Sequence, residues 1–155
     1  MSRVHRFEFS TRLTAAPAIV WAHAISLSGV NRELLPLARM TAPAGVEQLD
    51  PARVPRGQTL FRSWILFLGF LPVDYDDIGL AEFEPGHRFL ERSTMLTQRS
   101  WQHERLVEPA GEGCQVTDRV EFEPRLALLG PLQALVFRAA FALRHWNLRR
   151  LFGSP

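Results

Sequence analysis

The order in which strand-like and helix-like patterns follow one another leaves few folds open to these 155 residues. A strand-like segment over 4–11 and a short helix opening at Pro17 come first. A strand-rich middle occupies 58–123, and a helical pattern over 131–152 closes the chain. A helix of that length, arriving after that many strands, must bury a face, and the only partner large enough is the sheet before it. The pattern predicts an α+β chain in which a curved antiparallel sheet grips the last helix, with room for a ligand between them.

Length and a hydrophobic share of 46% fit a single domain over 1–155 with a real core. The single cysteine, Cys114, has no intrachain partner for a disulfide, and residues 1–10 interrupt their apolar pattern with Arg3, His5, Arg6 and Glu8, unlike a signal peptide. The expected location is cytoplasmic. All 18 basic residues are arginine, a bias that fits a GC-rich coding sequence. They are spread along the chain and the net charge is only +2, so no nucleic-acid partner is expected. The longest apolar run, residues 64–73, is half of the ~20 residues that span a membrane as a helix, and no stable membrane insertion is expected.

Pro17 suits the first turn of a helix over 17–24, Gly29 breaks the pattern, and Asn31 is a good N-cap for a short turn over 32–35 ended by Pro36. Residues 41–57 hold three prolines and two glycines and read as a weak strand and loop. Strands are then expected over 59–68, 73–83, 88–96, 100–107 and 115–122, joined as hairpins by turns rich in glycine and proline.

The last helix is apolar on two faces. Leu132, Leu135, Val136, Ala139, Leu143 and Trp146 fall on one side, with Phe137, Phe141, Leu148 and Phe152 nearly opposite. Arg138, His145 and Arg149 form a polar stripe between them. One face belongs on the sheet; the other is expected to be covered by early segments, with a ligand, a homodimer contact or a membrane surface as alternatives. The apolar hairpin tip over 68–72 is likewise expected to be covered, by the final helix, a subunit or its own closure over a pocket.

Phe7, Glu8, Phe9 and Ser10, followed by Ala16, Pro17, Ala18, Ile19, Val20 and Trp21, resemble the opening of the START and birch-pollen-allergen-like superfamily, the SRPBCC or helix-grip proteins. Trp101 to Arg105, then Asp118 to Pro124, then 141–152 with Arg144 and Leu148, resemble its bacterial ligand-binding and polyketide cyclase/dehydrase-like branch. The resemblance covers nearly the whole chain. It implies a seven-stranded antiparallel sheet around the C-terminal helix, two small helices after the first strand, and a cavity for an apolar or amphipathic molecule such as a lipid or polyketide. No cofactor is implied.

Alternation along the strands selects the polar candidates. If Trp101 faces inward, so do His103 and Arg105; if Val116, Val120 and Phe122 face inward, so does Asp118. His103 and Asp118 then lie nearly opposite each other and form a candidate acid–base pair, although such positions more often hold a satisfied structural or sheet-surface pair. A one-residue slip would turn Gln102 and Glu104 inward instead. Glu91 joins the cluster on one parity of its strand. Asp74, Asp76 and Asp77 lack calcium-loop spacing and read as a solvated strand edge. No zinc-type spacing, phosphate loop or serine elbow occurs, so metal- and nucleotide-dependent classes fall away.

Three functions stay open. The first is a container in which Trp64, Glu91, Trp101, Arg105, Val120, Phe122, Phe137, Phe141 and Arg144 meet an apolar small molecule. The second is a small cyclase, dehydratase or hydrolase in which His103, oriented by Asp118, does acid–base work while Arg105 or Arg144 stabilises an oxyanion. The third is an oligomerisation module whose cavity is filled by side chains.

Overall fold

A computed structural model describes residues 3–50, 52 and 57–155. Part of the expected weak strand and loop over 41–57 lies outside the described residues. Among the described residues, nine helices and strands precede the closing helix: β1 (His5–Leu13), α1 (Pro17–Ala24), α2 (Leu27–Leu34), β2 (Ala38–Met40), β3 (Thr59–Phe67), β4 (Leu71–Glu84), β5 (Arg88–Met95), β6 (Gln98–Ala110) and β7 (Gly113–Pro124). A 3-10 turn, Ala127–Leu129, then leads into α3 (Gly130–Phe152).

The seven strands form one antiparallel sheet in the order β1-β7-β6-β5-β4-β3-β2. This is the expected helix-grip architecture: β2 to β7 run as neighbours, and β1 returns to pair with β7 from His5↔Phe122 to Leu13↔Cys114. The far end of α3 is tied to the end of β1, where the Thr14 and Ala15 amides donate to the carbonyls of Gly153 and Phe152. Asn147 Nδ2 on α3 also donates to the carbonyls of Glu33 and Leu35, locking α2 against it. Anchored at its C-terminal end, α3 runs out across the sheet toward the β3–β4 hairpin.

Two differences from the sequence reading lie in the small elements. Gly29 does not break a helix; it sits inside α2, whose N-cap is Ser26, with Ser26 Oγ accepting from the Gly29 amide. Glycine is required there because a Cβ would lie 2.0 Å from the His23 carbonyl oxygen at the end of α1. Close approach of two helices, rather than chain flexibility, explains the residue. The strand before the meander is Ala38–Met40, pairing with β3, and residues 41–46 form no strand.

The expected covering of the second helical face does not occur. Leu132, Leu135, Val136 and Trp146 are exposed, and so are Leu68, Phe70 and Leu71 at the hairpin tip. The early segments pack against the other end of α3, through α2, and do not reach this face. The supposed polar stripe also divides: Arg138 and Arg149 stay at the surface, whereas His145 is buried.

The interior is layered. One apolar cluster gathers Leu13, Val20, Trp21, Leu80, Phe89, Val107, Val116 and Leu148; a second gathers Phe7, Met95, Trp101, Val120, Phe122 and Phe141. Between them runs a polar layer. Along β6 the inward residues read Trp101, His103, Arg105, Val107, and along β7 Val116, Asp118, Val120; on α3 the same change runs from Phe141 through Arg144 and His145 to Leu148. Three elements thus change from apolar to polar and back at one level.

Candidate functional site

Arg105 is the centre of the polar layer. It is fully buried, and its guanidinium donates to both oxygens of Asp118 (2.8 and 2.7 Å) and both oxygens of Glu33 (2.7 and 2.9 Å). Glu33 also accepts from Arg144 Nε at 2.8 Å and meets His23 Nε2 at 3.0 Å. Asp118 meets His103 Nε2 at 2.7 Å and His145 Nε2 at 2.8 Å. Burial raises both carboxyls, but the charges of Arg105 and Arg144 outweigh it at Glu33, and Arg105 with His103 outweighs it at Asp118. Both end well below the ordinary carboxylate range.

The register explains this assembly. β6 and β7 pair Arg105 with Asp118 and His103 with Val120, so the histidine reaches the aspartate diagonally. His103 and Arg105 face inward with Trp101. Gln102 and Glu104 face outward, where they accept hydrogen bonds from Arg92 and from Arg88 and Arg119.

On its other side His103 approaches a second carboxyl cluster. Its Nδ1 lies 3.7 Å from Glu91 Oε2, and Ser93 Oγ donates to Glu91 Oε1 at 2.7 Å. Asp76 stands next to Glu91, buried, and among the described residues no donor reaches its Oδ1. An unpaired carboxylate oxygen beside a second carboxyl is satisfied when the two share a proton. Burial first, and the Glu91 charge second, push Asp76 well above the ordinary range; Glu91 is raised by burial but pulled below its ordinary value chiefly by His103. Of the two, Asp76 is the one pushed toward its protonated form. Asp74, one inward position away, is raised by burial and accepts from Tyr75 N and from Thr97.

The reading of Asp74, Asp76 and Asp77 as a solvated edge is thereby corrected. Only Asp77 faces solvent, bound by Arg62 at 2.7 Å. The signal was present in the strand itself: Ile78 and Leu80 occupy the inward parity of β4, and Asp74 and Asp76 share it.

These acids form one end of a cavity of about 440 Å³ between the sheet and α3. Its deep end holds Asp76, Glu91, His103 and Arg144; its walls include Met95, Trp101, Phe137, Ala140 and Phe141; its outer rim is Phe67, Val73, Leu129, Leu132 and Val136. Rim residues are exposed while Asp76, Met95, Trp101, His103, Phe141 and Arg144 are buried, which places the mouth between the hairpin tip and the start of α3. The volume lies in the range of small-molecule sites. Side chains do not fill this space, so the module with a filled cavity is set aside. A void of about 70 Å³ borders Glu91, His103 and Arg144 from the α1–α2 side.

Of the residues expected to meet a ligand, Glu91, Trp101, Phe137, Phe141 and Arg144 line the cavity, as does His103. Asp118 stands behind His103 and does not. Four others are elsewhere. Trp64 is half exposed and packs edge-on against Tyr75, because Ser63 and Ile65 take the inward parity of β3. Arg105 is enclosed by its two carboxylates. Val120 and Phe122 are covered by the aromatic packing that joins Phe7, Phe137 and Phe141 to the sheet. Glu33, His145 and Asn147 were not expected in the interior; Glu33 and Asn147 depend on α2 docking against α3, and His145 on its seat against Asp118 and Phe9.

Residues 11–152 match the model of a family described as Domain of unknown function (DUF8410). No curated protein matches the chain in sequence. In three dimensions it is similar to protein CV1439 from Chromobacterium violaceum, with a TM-score of 0.73 and 12% identity over 97% of this chain and 98% of that one. It is also similar to ginseng major latex-like protein 151 from Panax ginseng (0.66, 7% identity, 96% and 97% covered). A third similar structure is norcoclaurine synthase from Thalictrum flavum in complex with dopamine and hydroxybenzaldehyde (0.64, 10% identity, 97% and 87% covered). At such identities the likeness is one of fold alone, and that fold is the helix-grip architecture.

Proposed function

We propose that this chain, which belongs to the DUF8410 family by a match spanning most of its length, binds an amphipathic small molecule in the cavity between its sheet and α3. The observation that carries the reading is the polarity gradient of that cavity. Aromatic and aliphatic walls favour an apolar body by the area they remove from water. The Asp76–Glu91 pair, with His103 and Arg144 beside it, presents acceptors and guanidinium donors to one polar group at the deep end. A lipid or polyketide with a single polar terminus has this chemistry. The ligand enters polar end first, because the mouth is apolar.

The test is native mass spectrometry of freshly expressed protein before and after mild organic extraction, on the parent and on Ala140→Trp, which places a large side chain in the cavity wall. A reproducible extractable mass on the parent, lost in Ala140→Trp, is expected. A parent that carries no added mass and takes up no amphiphile from a supplied lipid extract refutes the reading.

A second reading, a cyclase or dehydratase, is favoured by one feature: burial and the Glu91 charge push Asp76 well above the ordinary carboxylate range, while His103 holds the adjacent Glu91 below its own. Such a pair divides acid and base roles, Asp76 protonating a substrate oxygen and the Glu91–His103 side accepting a proton from carbon. One fold neighbour carries the name of a synthase. The readout is deuterium. Ligand recovered from protein incubated in D₂O should gain carbon-bound deuterium with the parent and not with Asp76→Asn; equal incorporation in both rejects the acid–base role.

A further inference from the structure

The cavity mouth opens within a broad exposed apolar surface. The 3-10 turn and one side of α3 present Leu128 (96% exposed), Leu132, Leu135 (66%) and Trp146, and the facing β3–β4 tip presents Leu68 and Phe70 (72%). At 100° per residue the helical members fall in one stripe ending at Arg150, whose guanidinium lies 4.8 Å from the Trp146 ring. The stripe runs about 33 Å from Leu128 to Arg150 at 1.5 Å per residue. Scattered surface leucines need no explanation, but contiguous apolar residues on two facing elements do.

We infer that this surface docks on an anionic lipid bilayer, with the hairpin tip and the α3 stripe seated among the headgroups and the cavity mouth facing the membrane.

Charge identifies the occupant. Residues 124–155 contain no Asp or Glu, and neither does 64–73. Arg39, on the strand beside the hairpin, Arg125, at the start of the 3-10 turn, and Arg150, at the end of the stripe, are all exposed. An apolar stripe bordered by arginine alone, with a tryptophan near its end, suits an interface of anionic headgroups. A second copy fits less well. A two-fold contact through this face sets arginines of one copy close to those of the other and closes the mouth.

The helix over Ala127–Phe152 is long and apolar enough, by length and composition, to cross a bilayer. Its other side argues for lying on the surface instead: Arg144, His145 and Asn147 are buried in bonds to Glu33, Asp118 and α2, and a spanning helix would carry them unpaired into hydrocarbon. Docking through exposed residues leaves all these bonds intact.

The docking surface stands on its own; the further step, that the amphiphile passes directly between bilayer and cavity, rests on the proposed binding role. The experiment is co-flotation with vesicles of phosphatidylcholine alone and of phosphatidylcholine mixed with phosphatidylglycerol. The parent is compared with Phe70→Asp/Leu128→Asp, whose two sites are exposed, and with Ala140→Trp. Folding of each variant is checked by thermal unfolding. The parent should float with the mixed vesicles and less with the neutral ones, and salt should weaken the binding. The double variant, with an unchanged melting temperature, should bind about tenfold or more weakly, since two anchoring side chains are lost and two like charges added. Ala140→Trp should float like the parent whether or not a ligand is carried, which separates failure of docking from failure of the cavity reading. A parent that floats with neither vesicle, or a double variant that floats equally well, overturns the inference. So does a parent dimer that dissociates in the double variant without any flotation, and that result assigns the face to a second copy.

Discussion

Arg105→Met tests the polar layer directly. The substitution removes four hydrogen bonds, two to each of two fully buried carboxylates, and keeps most of the side-chain volume. Glu33 retains Arg144 and His23, and Asp118 retains His103 and His145, so neither acid is stripped bare. Breaking a buried ion pair from one side costs about 3–5 kcal/mol, because a charge is left where water cannot reach it. In a domain of this size that corresponds to a fall in melting temperature of roughly 6–20 °C, at about 2–4 °C per kcal/mol. It is a large part of the ~5–15 kcal/mol that holds a typical domain together.

The same argument fixes the pH dependence. Glu33 and Asp118 are held below their ordinary values, so in the parent their contribution is present above about pH 4, the unfolded range, and is lost as pH falls toward their lowered folded values. In Arg105→Met both carboxyls titrate higher and protonate sooner. The deficit of the variant should be greatest near neutrality and should narrow below about pH 4. Urea unfolding of parent and variant across that range, with the slope checked for constancy, measures it. A deficit under about 1 kcal/mol at neutral pH, or one that does not narrow in acid, refutes the view that a buried guanidinium holds two ionised carboxylates together. Arg105→Lys is expected to fall between, since an ammonium keeps the charge but lacks the planar fork that spans both acids.

Asp76→Asn should behave in the opposite sense. Asp76 is raised, so its own contribution to the parent is full below the ordinary carboxylate value and is lost as pH rises toward the raised one; the asparagine variant, which cannot ionise, should gain on the parent as pH increases from about 4, measured by thermal unfolding across the same series. A variant that loses ground with rising pH contradicts the upward shift of Asp76. Gly29→Ala should destabilise by about 1–3 kcal/mol, despite alanine's better helix propensity, because its Cβ would press on the His23 carbonyl; a stabilised variant in urea unfolding would show that α1 and α2 are not held at that distance.

The order of elements was legible because each strand and the last helix carries its own periodicity, and periodicity is a local property. Pro17, the turn glycines and the 131–152 pattern all fell where α1, the hairpins and α3 lie. The inward set on β6 and β7 was legible for the same reason. Trp101 and Val107 share a parity with His103 and Arg105, and Val116 and Val120 share one with Asp118. Asp76 was within reach by that rule and was missed because three nearby acids suggested solvent more strongly than Ile78 and Leu80 suggested core.

Other features had no local signal. Glu33 lies 72 positions from Arg105 and 111 from Arg144, and nothing around it in the chain announces a fully buried carboxylate. Trp64 looked like a ligand contact by its chemistry and faces outward by the parity of β3. Which side of α3 remains bare follows from its anchoring at Thr14 and Ala15 and from α2 covering only its far end. By itself the sequence determined what repeats every two or 3.6 residues: strands, helices, and which side chains share a face. Tertiary structure alone decided which faces meet, and so whether a charge is neutralised, a carboxyl keeps its proton or a leucine stays in water, since burial and pairing depend on groups brought together from far apart in the chain.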